Sequence, residues 1–361
     1  MPENNNIFLK WIWRLITIIA VTSWIVLLLS AFADRISPHT NPYIPFLGLF
    51  FPFILAFNVA FLAFWIIFRK WKHTLLSFIV LLLCWGSVRT YFPFHHDHPN
   101  LPENCIKVLT YNVMSFNHQT KHTPENPCPI LEYIIEQDPD IICLQEYATM
   151  WGLSEETIRK ALKATPHFWF CPIDLAIFSK YPILSTKKIP LEGQFSSLCM
   201  VELDINGRKT TLFNMHLESN RITADERAEY YDLTKEFDKE RWETFTYQMY
   251  QRLNPAFQAR AKQAELIAQL IRETPNESII VCGDFNDTPI SYTRRTIKGN
   301  LKDAFVESGS GMGISFNRHR FYFRIDYILH SKNMKAHNCT VGKLKTSDHY
   351  PVWTYLELGE E

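Results

Sequence analysis

The sequence predicts an α+β sandwich of two sheets with helices outside, preceded by about three transmembrane helices. Three observations lead there. The first quarter of the chain is apolar and falls into three blocks, the remainder alternates short strand-like runs with helical segments, and Asn206-Gly207 lies between two alternating runs as a hairpin signal that departs from strict βα order.

The apolar blocks, "WIWRLITIIAVTSWIVLLLSAFA" (11–33), "YIPFLGLFFPFILAFNVAFLAFWIIF" (43–68) and "TLLSFIVLLLCWGSVRTYF" (74–92), are each about long enough to cross a bilayer's hydrocarbon core as helix. The second carries Pro45 and Pro52, which membrane helices tolerate, and the third carries Arg89, which must reach the interface. Lys10 and Arg14 open the first block, and Arg69, Lys70 and Lys72 separate the second from the third, while Arg35 stands alone in the first connecting loop. Positive charge marks the cytoplasmic side, so three crossings leave everything after residue 92 outside an inner or plasma membrane. "AFA" at 31–33 resembles a signal-peptidase site, and cleavage there would leave two crossings and the same extracytoplasmic placement.

Lys+Arg and Asp+Glu are both 37, but seven of the basic and three of the acidic residues precede residue 100, so the remainder is about four charges negative. A strongly basic surface for neutralising nucleic-acid phosphates is therefore absent. Seven of the eight cysteines follow residue 100; Cys143 and Cys282 lie in apolar runs and read as core residues, and no spacing implies a bridge.

"FHHDHPNLPEN" (94–104) reads as a linker with solvated histidines between the membrane region (1–93) and one catalytic domain (105–361). In that domain "IKVLTYNV" (106–113), "DIICLQE" (140–146), "DLAIFSKYPI" (174–183), "SLCMVELDI", "KTTLFNMHL", "SIIVCGDF" (278–285), "RIDYILHS" (324–331) and "YPVWTYLEL" (350–358) read as strands, and "PILEYIIEQDP" (129–139) as a helix. The polar-aromatic stretch between Leu217 and Ser278 has helical spacing interrupted by Pro255. Its first part, near 220–255, is an insertion with three readings: a lid, a dimer contact or an inert surface helix.

The chemistry gathers where strands stop. Asn112, Glu146, His216, Asp284 with Asn286, and Asp348 with His349 stand at five strand ends, and Asp326 lies within a run of strong strand formers. Singly, Asn112 is an ordinary turn residue and His216 an ordinary core histidine. Together they set two histidines, several carboxylates and two amides where sheet folds place sites. Glu146 offers hard oxygen for Mg²⁺, with Mn²⁺ as the alternative. Asp284 can orient or deprotonate a water, Asn286 can hold phosphate or water, and His216 and His349 can donate to phosphoryl oxygens or a leaving group. Asp326 is the candidate partner that fixes the tautomer of His349, and Asp174 is the positional candidate for His216.

In order and wording, "TYNV…DIICLQE…NMHLES…CGDFND…RIDYIL…SDHYPV" resembles the endonuclease/exonuclease/phosphatase superfamily, the deoxyribonuclease I-like fold, over residues 106–358. The resemblance implies a four-layered α/β sandwich. It implies that Asn112 and Glu146 help hold the metal, with Asp348 a metal-side carboxylate or a group behind it. It also implies that His216, Asp284 and Asn286 line the phosphate and that Asp326 supports His349. Some members carry an acid where this chain has Met114, so a second metal would have one ligand fewer. "HLES" is similar to the tyrosyl-DNA phosphodiesterase branch.

The expected function is metal-dependent phosphoester hydrolysis by activated water next to a bilayer. The substrate reading stays divided between a phospholipid or sphingomyelin-type headgroup and extracytoplasmic DNA or RNA. "FNRHRFYFR" (316–324) sets Arg318, Arg320 and Arg324 among aromatics as candidate substrate-binding residues. A non-catalytic binding protein is the remaining alternative, which the intact Glu-Asp-His set argues against.

Overall fold

A computed structural model describes residues 3–117, 121–123, 125–149, 153–171, 174–193, 196–236, 238–318 and 321–359. It divides into two compact units, one ending its main run at Tyr91 and the other beginning at Phe92.

The N-terminal unit contains helices Glu3–Ala31, Ile44–Leu49, Phe51–Ile67, Trp71–Leu83 and Trp85–Tyr91. Trp24 and Trp65 are buried at its centre, with Trp13, Phe61 and Phe64 packed around them. Asn58 is satisfied inside by Ser23 and by the Ile54 carbonyl. Among the described residues one helix, Ile7–Ala31, is long and apolar enough to cross a membrane, where three blocks are expected from the sequence. The second block breaks at Phe50, because Pro45 and Pro52 each sit in the first turn of a separate helix, and its longer piece has 17 residues. The third bends by 60° between Leu83 and Trp85 and counts as a second span only if the bent pair is taken together.

The C-terminal unit is an α+β sandwich. Its strands are β1 (Cys105–Asn112), β2 (Ile141–Gln145), β3 (His167–Cys171), β4 (Leu175–Ser179), β5 (Ile183–Ile189), β6 (Ser197–Ile205) and β7 (Arg208–His216). They continue as β8 (Ser278–Asp284), β9 (Lys302–Asp303), β10 (Phe316–Arg318), β11 (Phe321–Phe323), β12 (Asp326–His330), β13 (Met334–Val341) and β14 (Val352–Leu358). One six-stranded sheet runs β13-β14-β1-β2-β4-β3 and the other β5-β6-β7-β8-β12-β9, with β10-β11 a separate ribbon. Each large sheet is mixed: β1 and β2 pair in parallel in the first and β7 and β8 in the second, while the other pairings are antiparallel.

Alternation along the strands makes the layers. Val108, Cys143, Cys199, Leu212, Cys282 and Leu356 face the core between the sheets. Leu109, Tyr111 and Ile142 face outward onto Ile130 and Ile134 of the helix Pro129–Gln137. Phe213 and Val281 face outward onto Ala264 and Ile267 of the helix Lys239–Glu273. Each fully buried Ile, Val or Leu contributes about 1.5–3 kcal/mol, so this double-sided burial is what fixes strand register. All eight cysteines are free.

Two local expectations change. The run 174–183 is two strands in different sheets, because Pro182 has no N–H for a ladder and the chain crosses from β4 to β5 there. Helix Lys239–Glu273 continues through Pro255, which is exposed, as is Gln251, whose carbonyl loses its partner. The Asn206-Gly207 turn is as expected: both residues have positive φ, 55° and 87°, and β6 and β7 pair up to Ile205 and Arg208.

Candidate active site

Strand register assembles the site. His216, Asp284 and Asp326 stand in one row across the second sheet, since His216 pairs with Asp284 in the parallel β7–β8 ladder and Asp326 pairs with Asp284 in the antiparallel β12–β8 ladder. Gly283 permits this close pairing: its φ is 142°, and a Cβ there would fall 2.0 Å from the Met215 carbonyl oxygen. From the first sheet, Asn112 ends β1, Glu146 follows β2, and the segment before β14 carries His349.

At the centre is Asp284, which is buried. Its Oδ2 lies 3.6 Å from His349 Nε2 and 3.9 Å from His216 Nε2, and accepts a hydrogen bond from Asn112 Nδ2 at 3.2 Å. Its Oδ1 accepts the backbone N–H of Asn286 at 2.8 Å. Each imidazole is held from behind by a second carboxylate: His349 Nδ1 lies 2.8 Å from Asp326 Oδ2, and His216 Nδ1 lies 2.9 Å from Asp174 Oδ1. Asp174 also accepts the backbone N–H of Glu146 at 3.2 Å, so one carboxylate aligns both residues.

Burial opposes the charged form of His216, but the hydrogen bond and charge of Asp174, with Asp284 and Glu146 beyond it, outweigh that and raise its pKa to about 9. Burial likewise opposes the charge on His349, and the Asp326 and Asp284 carboxylates raise its pKa well above the usual histidine value. Asp284 rises to about 6, first through burial and then through Asp326, against the lowering effect of the two histidines. These shifts favour the imidazolium form of both histidines beside the Asp284 carboxylate.

Asn112 donates to Glu146 Oε1 at 2.9 Å, while its own oxygen accepts the Met114 N–H at 3.1 Å. Asn112 thus steadies Glu146 by its amide. The half-buried Glu146 carboxylate, anchored on one oxygen, fits a Mg²⁺ ion that takes one or two carboxylates and keeps several waters. Asp284, Asp326 and His349 also present ligand atoms within 4.8 Å of one another. That cluster suits Mg²⁺ less well, since one of its three ligands is a nitrogen and Mg²⁺ prefers oxygen. Backbone strain marks the same loops, with φ at +50° for Glu146, +53° for Asn286 and between +47° and +59° for Met114 to Asn117.

Not every expected residue joins the cluster. Asn286 lies beside Asp284, and its Nδ2 donates to the Leu217 carbonyl. Asp348 is half-buried, and its hydrogen bond, a long one, comes from Ser347 Oγ. Arg318 reaches Met114, with Nη2 lying 3.7 Å from the sulfur. Arg324 corrects the sequence expectation: it is 2% exposed, lies over the Phe305 and Tyr327 rings, and its charge helps hold Asp303 ionised, so it is a core cation. Arg320 lies outside the described residues.

Two serines escaped sequence reasoning. Ser315 is fully buried, and its Oγ accepts the N–H groups of Ile325 and Asp326. Ser347 Oγ donates to the Asn112 carbonyl and accepts the His349 N–H, tying the metal side to the histidine side. The serine of "SDH" is the only sequence signal for either. Below the site, Gln145 Nε2 bonds Asn214 Oδ1 at 2.7 Å, joining β2 to β7 across the sandwich.

Comparison with known proteins bears on the family and the fold. The family model "Endonuclease/Exonuclease/phosphatase family" matches residues 109–349, and a domain of unknown function (DUF8431) matches residues 13–91. No curated protein matches. The human nocturnin catalytic domain with bound sulfate is 20% identical, covers 71% of this chain and 94% of its own, and has a TM-score of 0.51. A humanized D. rerio TDP2 is 16% identical over 70% of this chain and 99% of its own, with a TM-score of 0.49. An endonuclease/exonuclease/phosphatase from Bacteroides vulgatus is 17% identical over 71% and 100%, with a TM-score of 0.48. The nocturnin likeness shows the fold.

Proposed function

Because the chain belongs to the endonuclease/exonuclease/phosphatase family, whose reaction is hydrolysis of phosphoester bonds, we propose that it is a Mg²⁺-dependent phosphodiesterase anchored in a membrane. One observation carries this reading: His216 and His349, each backed by its own carboxylate, converge on a single oxygen of Asp284.

Asp284, ionised above about pH 6, orients a water and takes its proton as the water attacks phosphorus in line with the departing alcohol. The imidazolium groups of His216 and His349 donate from Nε2 to phosphoryl oxygens as charge builds on them, and they do so from buried positions where such donors act strongly. Asp174 and Asp326 hold each ring in the orientation that keeps Nε2 toward the substrate. Asn112 fixes Glu146, which would hold the ion. Held by Glu146, the ion would supply positive charge to a phosphoryl oxygen.

Membrane anchoring is supported by helix Ile7–Ala31 and by large exposed apolar side chains such as Leu15, Phe53, Ile67 and Trp71. Lys70 lies over the Trp13 ring at 4.4 Å, so the two basic clusters occupy one end of the N-terminal unit. By the positive-inside rule that end is cytoplasmic, which leaves the catalytic unit outside if the chain crosses an odd number of times.

The test uses the full chain in detergent or nanodiscs, with Mg²⁺ or EDTA, on plasmid DNA, RNA, phosphatidylcholine, sphingomyelin and phosphatidylinositol. At least one substrate should be cleaved in a metal-dependent way, with turnover falling on the order of a hundredfold or more in Glu146→Gln, Asp284→Asn and His349→Ala. Near-wild-type turnover in all three would sink the assignment. Nicked plasmid identifies a nuclease; headgroup release with intact plasmid identifies a lipid phosphodiesterase.

A further inference from the structure

The insertion near 220–255 brings a second cationic feature to the rim of the site. Its first helix, Ala224–Leu233, is started by a full capping box between Thr223 and Glu226. Tyr230 of this helix rests on Phe321 of β11, with ring centroids 5.2 Å apart, and packs against Phe245 of the following helix. The insertion is therefore docked on the β10–β11 ribbon by aromatic contacts.

That docking places two arginines together. Arg318 is the register partner of Phe321, so their side chains share one face of the ribbon. Phe316, two residues earlier on β10, shares that face, and its ring meets the His349 imidazole edge-on at 5.1 Å. Arg318 is thus on the side of the ribbon that faces the catalytic histidine, and its guanidinium reaches Met114, two residues beyond Asn112. Arg227 lies three residues before Tyr230, on the same helical face. The Tyr230–Phe321 contact is flanked by one arginine from each element.

Neither arginine is neutralised in the usual way. Among the described residues Arg318 has no acidic partner at ion-pair distance, and the Nε of Arg227 is buried without a hydrogen-bond acceptor. Glu226, the nearest acid on the helix, is taken by Arg252 at 2.7 Å. Arg227 Nη1 donates to the Ile222 carbonyl; burial disfavours its charge, Asp348 and Glu226 support it, and Arg318 opposes it. Two cations near enough to oppose one another's charge, neither in an ion pair of its own among the described residues, make a site suited to an anion.

Resting on the phosphodiesterase reading above, we propose that Arg227 and Arg318 form a subsite for a second phosphoryl group of the substrate. The insertion is then a specificity element, and the preferred substrate is a phosphoester that carries a further phosphate next to the one cleaved. A phosphorylated oligonucleotide end and a phosphorylated lipid headgroup both offer this chemistry.

Binding is measured first, because it needs no turnover. Isothermal titration of the full chain in detergent, with magnesium withheld, compares inorganic pyrophosphate with inorganic phosphate. Wild type should bind pyrophosphate at least tenfold tighter, and Arg227→Gln and Arg318→Gln should each shrink that ratio severalfold, with Arg318→Lys intermediate because it keeps charge without the fork. A ratio near one in wild type, or one unchanged in the variants, overturns the subsite. A preserved ratio effect with no hydrolysis of any phosphoester instead leaves the subsite standing and overturns the catalytic reading. Rates on pTpT against TpT, and on phosphatidylinositol 4-phosphate against phosphatidylinositol, then show which source supplies the second phosphate. The arginine variants should lose the preference for the phosphorylated member of the relevant pair.

Discussion

His349 directs Nε2 at Asp284 Oδ2 across 3.6 Å, and His216 directs its own Nε2 at the same oxygen across 3.9 Å. Both separations exceed a direct hydrogen bond. Three groups thus converge on one point, and a phosphoryl oxygen or a water that bridges them satisfies all three. Each ring is also held from behind, His349 by Asp326 at 2.8 Å and His216 by Asp174 at 2.9 Å, so both buried imidazoles of the site have a carboxylate partner.

A bell-shaped pH profile follows. Asp284 must be ionised to accept a proton, so kcat/KM should fall as pH drops through about 6. His216 must be protonated to donate, so activity should fall again as pH rises through about 9. Initial rates from pH 5 to pH 10 check both limbs; a flat profile across pH 5 to 7 would remove Asp284 as the base.

Asp174→Asn should move the basic limb. It removes the hydrogen bond and the charge that do most to raise the His216 pKa, leaving burial, which lowers it, opposed only by the more distant charges of Asp284 and Glu146. The upper limb should shift toward neutral pH and the maximal rate should fall about tenfold to a hundredfold. An unchanged upper limb would assign it to another group.

Asp284→Asn should abolish turnover without destabilising the fold. The raised pKa of Asp284 means that its ionised form costs stability in the folded state at every pH above the folded value, and that cost disappears as pH falls below the unfolded value. Removing the charge at neutral pH should add on the order of 1 kcal/mol, readable as a higher Tm. A large drop in Tm would show that the carboxylate is chiefly structural.

Glu146→Gln should erase the response to magnesium. Wild-type protein should gain thermal stability as MgCl₂ is raised, because an ion that binds only the folded state stabilises it by mass action. The variant should show little or no gain while its Tm in EDTA stays near wild type. An equal magnesium effect in both proteins would place the ion elsewhere.

Arg324→Ala should act on stability alone. The side chain is buried against the Phe305 and Tyr327 rings, and Asp303 depends on Arg294 and on it for its charge. Loss should cost about 3–5 kcal/mol by urea or thermal unfolding, with KM unchanged in the protein that remains folded. A raised KM at full stability would restore Arg324 to substrate binding.

The sequence determined the order of six motifs, the residue types at strand ends and the hairpin at Asn206-Gly207. These are local properties: strand periodicity and turn chemistry are written in neighbouring residues. It also singled out Glu146, Asp284, Asp326 and His349, because polar groups inside runs of strand formers stand out against their surroundings. What only tertiary structure decided depends on register and packing between distant segments. Asp174 and His216 are 42 residues apart, and the ladders, not any motif, bring them to 2.9 Å. Arg318 and Arg324 are near neighbours in one aromatic-rich run, yet packing sends Arg318 toward Met114 and buries Arg324 against Phe305 and Tyr327. The apolar blocks announced an N-terminal helical unit, but prolines and chain breaks, through the helices they start and bend, set how many of them run straight for a bilayer's depth.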